Sequence, residues 1–263
     1  MPAVAIAGGT GGLGRALVEA IHATGETQVI VLSRKTGSDK HLPAGIKLLP
    51  IDYGNIDGTA AQLELHHVDT LICALSPLTP PEVEFDLISA AAISRTTRRY
   101  VANSWEFKYE EQHIAGYPAA KHKIEARRRL QATDLELTAW YTGFFAEYIV
   151  APNVETYLEV LPCYLDHEKA TAMIPGSSNV PTTFSYAFDV ARFVAASLRL
   201  KKWQNDTFFI GDKLTLNELV KVAEEVRGVP YRITYDSLEL LRQGKTYRAI
   251  LERTFQDHFW SHT

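Results

Sequence analysis

The stretch "AVAIAGGTGGLGRALVEAI", residues 3–21, constrains this chain more than any other. An apolar run enters a loop with Gly8, Gly11 and Gly14 at G-x-x-G-x-x-G spacing, and an amphipathic run opens inside that loop. A turn this tight needs permissive backbone angles, close approach of the backbone to a ligand, and close packing of helix on strand. The new helix then presents unbonded N–H groups and the positive end of its dipole, which suits phosphate oxygens. Gly8, Thr10, Gly11, Gly12, Leu13 and Gly14 are the expected pyrophosphate cradle. A glycine-rich turn with no ligand is the bland alternative.

Short apolar runs keep alternating with helix-length amphipathic ones. Strands are expected at Val4–Ala7, Val29–Ser33, Ile46–Ile51, Val68–Leu75, Tyr100–Asn103 and Leu137–Thr142. Helices are expected at Gly12–Thr24, Gly58–His66, Val83–Thr96 and Ala119–Ala132. This order predicts an α/β fold of Rossmann type, a doubly wound parallel sheet with helices on both faces and a small C-terminal substrate lobe. After Tyr148 the order loosens, and Pro152, Pro162, Pro175 and Pro181 mark loops. Phe188–Leu200 reads as a helix, and Thr207–Ile210 and Val229–Thr234 as strands. "LTLNELVKVAEEVRG" carries Thr215 as an N-cap, Glu218 three residues on and Gly228 as a stop. The expected division is an NADP-binding domain over residues 1–150 and a smaller substrate-binding lobe over 151–263, with segments that return to the main sheet.

The end of the second strand speaks to the cofactor. An NAD-preferring fold places an acid there, roughly 20 residues past the glycines, for the ribose hydroxyls. This chain has Ser33, Arg34 and Lys35, a hydroxyl and two cations, which suit a 2′-phosphate and point to NADP(H). The alternative is that both cations are solvated loop charges. Asp52, after the third strand, is placed either to bond an adenine amino group or to cap a turn with Gly54 and Asn55.

The stretch "YPAAKHKIEARRRL", Tyr117 to Leu130, offers two lysines on one helix. At ~100° per residue, Ala119, Ala120, Ile124, Ala126 and Leu130 share one side with Lys123 near its middle. Lys121 falls on the other side, where Glu125 is available at i,i+4. A lysine centred on an apolar stripe loses hydration and needs a partner, such as a ribose hydroxyl, a carboxylate or a substrate proton. Snorkelling to water is the simpler reading of Lys123, and Tyr117 with Lys121, a Tyr-x-x-x-Lys spacing, is the rival catalytic pair. Pro118 weakens that rival by disfavouring helical angles at Tyr117.

These stretches together resemble the NmrA-like, isoflavone-reductase-like branch of the atypical short-chain dehydrogenases, most closely its fungal members. "AGGTGGLG" is similar to that family's G-G-T-G-x-x-G loop, and "RRYVANSWEF" stands where it has R-F-x-P-S-E-[FW]. "KIEARRRLQATDLELTAWYTGFFAEY" resembles its segment in which a catalytic lysine precedes arginines, then Tyr-Thr, then Phe and Tyr. "FDVARFVAASL" and "GDKLTLNELV" also resemble later family segments. The resemblance implies Lys123 as the general acid or base beside a nicotinamide, and implies an NADPH-dependent reductase of a small aromatic or conjugated carbonyl substrate. One departure is Asn103-Ser104 in place of the family's Ser-Glu pair. A non-catalytic NADP(H)-binding redox sensor and an isomerase or cyclase are the alternative functions.

Asn103 joins the cofactor candidates. Ser104, Trp105, Tyr141, Phe144, Phe145 and Tyr148, with Phe107 and Trp140 nearby, form the candidate substrate wall, aromatic and so suited to a flat apolar ligand. Any single ring is as readily core. The formal net charge is −4 with signs interspersed, so no nucleic-acid surface is expected, and Arg127-Arg128-Arg129 reads as a solvated helix face. Cys73 and Cys163 are the only cysteines, with no metal-ligand spacing, and the pair His66-His67 has no third ligand nearby, so no metal site is expected. No apolar run approaches ~18 residues, and the first residues lack the parts of a signal peptide. The expectation is a cytoplasmic monomer or homodimer with a small-molecule substrate and no membrane partner.

Overall fold

The computed structural model describes residues 2–34, 42–159 and 163–242. In chain order, β1 (Ala3–Ala7), α1 (Gly12–Ala23), β2 (Gln28–Ser33), β3 (Lys47–Pro50), α2 (Ile56–Leu65), β4 (Val68–Cys73), α3 (Pro81–Ile93), β5 (Arg99–Glu106), α4 (Ala120–Gln131) and β6 (Glu136–Tyr141) follow one another. Then come β7 (Phe144–Phe145), α5 (Glu147–Val150), β8 (Leu165–Asp166), β9 (Thr171–Pro175), β10 (Thr182–Ser185), α6 (Ala187–Ser197), β11 (Asp206–Phe208), β12 (Asp212–Leu214), α7 (Leu216–Arg227), β13 (Arg232–Asp236) and α8 (Leu238–Arg242).

Two compact units emerge. Of the described residues, the first comprises 2–34, 42–142, 156–158 and 186–209, and the second 143–155, 159, 163–185 and 210–242. The first is built on a seven-stranded parallel sheet of order β11-β6-β5-β4-β1-β2-β3. This is the expected Rossmann-type doubly wound sheet. The strand order reverses between β1 and β4, and ligands of such sheets bind at the carboxyl ends beside the reversal. Strands buried on both faces account for the near-continuous apolar runs: β1 is buried at all five positions, and α1 adds Leu13, Ala16, Leu17, Val18 and Ile21.

The second unit holds two three-stranded sheets, β12-β10-β7 and β13-β9-β8. Its core joins Ile149, Leu165, Ile174, Phe184, Val220 and Tyr231. Here α7 carries the expected capping box: the Thr215 hydroxyl accepts from the Glu218 N–H at 3.1 Å, and the Glu218 carboxylate accepts from the Thr215 N–H at 2.8 Å. Gly228 ends it in the left-handed conformation, φ +67°.

Most boundaries shift by one to three residues from the sequence reading, and two of the shifts have a clear local reason. The helix expected from Gly58 begins at Ile56, because the Asn55 side chain caps it by accepting from the Gly58 N–H at 2.8 Å. The strand expected to stop at Asn103 continues to Glu106, but with a register shift. Ala102 faces Ala139, and the next paired residue is Glu106, against Tyr141. Asn103, Ser104 and Trp105 thus lie in a bulge beside β6, the kind of break that re-aims groups next to functional sites.

The glycine loop has the crowding the sequence demands. A Cβ on Gly8 would sit 2.2 Å from the Ala74 carbonyl oxygen, and one on Gly14 would sit 2.1 Å from the Gly8 carbonyl oxygen. A Cβ on Gly11 meets nothing within 4 Å. Gly14→Ala is therefore expected to lower the unfolding free energy by ~2 kcal/mol or more, and Gly11→Ala to leave it within ~0.5 kcal/mol. Urea titrations of the two variants check this, and equal losses contradict it.

Candidate functional site

The bulge after Ala102 takes Asn103 out of the β5–β6 ladder, and three groups converge on that residue. The Asn103 N–H donates to the Glu84 carboxylate of α3 at 2.8 Å. The Asn103 carbonyl accepts from the Lys123 ammonium of α4. The Asn103 side-chain amide donates to the Leu75 carbonyl at 3.1 Å, tying the bulge to the end of β4. Beside it the Trp105 ring N–H donates to the Cys73 carbonyl at 2.8 Å. Lys123 is also 3.5 Å from Glu106 Oε1, and its side chain is 23% exposed. It does not snorkel freely: it is anchored at the carboxyl end of β5.

Lys121 is exposed, on the solvent side of α4. Glu125, its expected partner, binds Arg128 at 3.1 Å and Arg129 at 2.9 Å instead. Arginine makes the better partner because its forked donors match a carboxylate. Tyr117 is 37% exposed and stacks at 5.2 Å on Tyr109. Burial and then the Glu106 charge raise its phenol above the ordinary value, which keeps it a donor. Tyr109 donates to Glu106 Oε2 at 3.0 Å, so Tyr109, Glu106 and Lys123 form one connected group.

Glu84 is the group that sequence reasoning passed over. It is 8% exposed on a helix whose other buried residues are Leu87, Ile88, Ala90 and Ala91. Burial pushes its carboxyl up, against the pull of Lys123 and of the Asn103 N–H. The signal was available: Glu84, Leu87, Ile88 and Ala91 fall at i, i+3, i+4 and i+7, the same stripe argument that singled out Lys123.

One other reading needs correction. Arg127 is not part of a solvated face: it is 21% exposed, 2.5 Å from Asp206 Oδ1, and donates to the Tyr141 hydroxyl at 2.9 Å. That hydroxyl donates in turn to Asp206 at 3.2 Å, and Lys108 completes the cluster 2.9 Å from Asp206. Burial opposes ionisation of Asp206, but Lys108 and Arg127 hold its carboxyl below the usual range. The Tyr141 hydroxyl is thus committed to an ion-pair cluster that ties β11 to β6, and is not a free donor for a substrate oxygen. Of the other candidate wall residues, Ser104 is buried and Trp105 half-buried in the first unit. Within the second unit, Phe144 packs on Tyr164 at 5.4 Å and on Phe184 at 6.1 Å, and Phe145 on Tyr148 at 6.2 Å.

The glycine loop fits a dinucleotide's phosphates. Gly11 caps α1 with its own backbone, no side-chain cap is present, and the first turn carries no acid. The N–H groups of Gly12, Leu13 and Gly14 belong to the first turn, where a helix leaves them unbonded, and the space beside Gly11 is open. Thr10 is half-buried in the same loop. Ser33 is half-buried and Arg34 exposed where β2 ends, and Lys35 lies outside the described residues. Asp52 caps its turn, accepting from the Gly54 N–H at 3.2 Å. Among the described residues no cluster of three metal-binding side chains occurs, and no helix is long and apolar enough to cross a membrane.

The sequence matches the NmrA-like family over residues 2–258. The chain belongs to that family. An oxidoreductase of Botryotinia fuckeliana, BOA1, is 32% identical over 98% of this chain and 87% of its own length. Among solved structures, AtPrR2 with NADP+ and (+)pinoresinol superposes with a TM-score of 0.75 at 21% identity, over 90% of this chain and 80% of that one. An isoflavone reductase superposes with a TM-score of 0.73 at 20% identity, over 94% and 83%. At these identities the structural likenesses establish the fold. Within this NmrA-like chain, the bulge residues Asn103 to Trp105 and the partners of Lys123 are read from its own geometry.

The buried acid gives a pH test. Because the folded-state pKa of Glu84 is raised, its stabilising contribution is present at acidic pH and is lost as pH rises through that raised value. Glu84→Gln keeps an acceptor for the Asn103 N–H and removes the titration. Its stability relative to the native chain is expected to grow between about pH 4 and pH 8. Urea unfolding at both pH values checks it, and a difference independent of pH contradicts it.

Proposed function

We propose that this protein is an NADP(H)-dependent oxidoreductase that reduces a small aromatic or conjugated carbonyl compound, with Lys123 as its acid–base residue. The observation that carries this reading is the placement of Lys123. Its amine is fixed by a backbone carbonyl at the carboxyl end of β5, in the unit that also bears the open glycine loop. The oxidoreductase BOA1 and the NADP+ bound by AtPrR2 point the same way. The (+)pinoresinol bound there supports the substrate class for this chain.

In this reading the N–H groups of Gly12, Leu13 and Gly14 receive the pyrophosphate, and Gly11 leaves the space that pyrophosphate needs. Ser33 and Arg34 receive the 2′-phosphate, Arg34 through its planar fork of donors. NADPH, when bound, supplies the hydride. Lys123 holds the ribose or the substrate oxygen and gives a proton to that oxygen as charge develops on it. Asn103 contributes by fixing where the Lys123 amine points, and Ser104 lies next to it as a hydroxyl for the substrate. Trp105 and Tyr141 supply apolar surface for a flat substrate.

Two measurements test it. Purified protein is incubated with NADPH and a panel of aromatic ketones, enones and quinones, and absorbance at the reduced nicotinamide band is followed. Turnover is expected, with Lys123→Ala lowering it by about 100-fold or more while NADPH binding persists, and Lys121→Ala leaving it near the native rate. NADPH binding with no turnover across the panel favours a sensor, and loss in Lys121→Ala instead moves the role to that lysine. In the second, Arg34→Ala is expected to weaken NADPH binding by roughly 10- to 100-fold, the loss of one hydrogen bond to a charged group, and to leave NADH binding unchanged. Equal losses for both dinucleotides contradict the assignment of Arg34.

A further inference from the structure

Among the described residues, the charged or titratable groups around Lys123 differ in their access to water. Glu84, from α3, is buried and accepts from the Asn103 N–H. Cys73, from β4, is fully buried, and burial pushes its thiol up. Tyr117 and Tyr109 stand between β5 and α4, and burial raises both phenols, so neither gives up its proton readily. Glu106 is different. Its side chain is 29% exposed, one oxygen lies 3.5 Å from the Lys123 amine, and the other accepts from the Tyr109 hydroxyl at 3.0 Å. Among the described residues it is the carboxylate that meets both solvent and the lysine.

We propose that Glu106 reloads Lys123 with protons from solvent, and that Tyr109 aims its carboxylate for that task. The inference rests on Lys123 as the acid of the reduction. When Lys123 gives its proton to the substrate oxygen, one N–H bond breaks, one O–H bond forms and a neutral amine remains; the two electrons of reduction come as hydride from the reduced nicotinamide. Glu106, protonated from water at its exposed edge, transfers that proton to the amine lone pair and returns to the carboxylate. Lys123 is restored as the ammonium, and one solvent proton is consumed per turnover. Tyr109, a donor throughout, holds Oε2 so that Oε1 faces the lysine. Glu106 is a positioning residue in this scheme, since it acts through Lys123.

The first arm of the test needs no substrate. Lys123 and Lys121 lie on one helix, so amine labelling with acetic anhydride followed by peptide mass spectrometry reads both in one sample, the exposed Lys121 serving as reference. In Glu106→Gln the labelling of Lys123 relative to Lys121 at one neutral pH is expected to rise roughly twofold or more, because the ion pair that engages the amine is gone. Tyr109→Phe is expected to move Lys123 in the same direction by less. A Lys123-to-Lys121 labelling ratio that stays at its native value in Glu106→Gln overturns the inference, whatever the protein does. The second arm uses the quinone or enone that the native enzyme reduces fastest. Glu106→Gln is expected to lower kcat roughly 10- to 100-fold with KM for NADPH unchanged, and added formate or acetate is expected to restore part of the loss. Undiminished kcat, or a loss that neither acid restores, overturns the relay. Failure of the parent reading looks different: Lys123→Ala then keeps native turnover.

Discussion

The backbone of a single residue, Asn103, holds the site together. Its N–H is bound by a buried carboxylate and its carbonyl by a half-buried ammonium. Neither charge is placed there by its own element alone. Glu84 sits on an otherwise apolar face of α3, and Lys123 on the corresponding face of α4. Burying either ion alone costs several kcal/mol. With the Asn103 backbone between them each finds a hydrogen bond and an opposite charge nearby. The bulge in β5 makes this possible, because a regular ladder would have spent the same N–H and C=O on a neighbouring strand. The break in the sheet and the anchoring of the lysine are thus one feature.

The rest of the first unit supports that feature at a distance. Parallel strands β1, β4 and β5 bring the glycine loop and the Asn103 bulge to the carboxyl edge of one sheet. Gly8 and Gly14 let α1 approach the sheet more closely than any side chain would allow, while the space at Gly11 stays clear. On the other flank, Arg127, Tyr141, Asp206 and Lys108 lock the edge strand β11 to β6 and to α4, the helix that carries Lys123. Arg127 lies one turn beyond Lys123, so this cluster also fixes the rotation of α4. The exposed Lys121 is left without such a constraint, and that is the physical difference between the two lysines.

Much of this was legible in the sequence. The alternation of apolar and amphipathic runs gave every strand of the parallel sheet to within a few residues, because strands buried on both faces must be apolar throughout. The capping box at Thr215 and the stop at Gly228 were local and therefore readable. The brief strands β7, β8, β9, β10 and β12 were not, since two to five residues carry little periodicity. At the site, the choice of Lys123 over Lys121 followed from the helix wheel. The partners Glu84, Glu106 and Tyr109 come from other segments, and their meeting is tertiary. Arg127 was misread for a related reason: a run of three arginines looks uniform in sequence, but one of the three points inward to an aspartate that lies 79 residues further along the chain.

A crystal structure with NADPH bound tests the central claim most directly. The account predicts the Lys123 amine within about 3 Å of a nicotinamide-ribose hydroxyl or of the substrate oxygen, still bonded to the Asn103 carbonyl, with Lys121 in solvent. A nicotinamide lying against Lys121 and Tyr117, with the Lys123 amine turned away from it, would contradict the account.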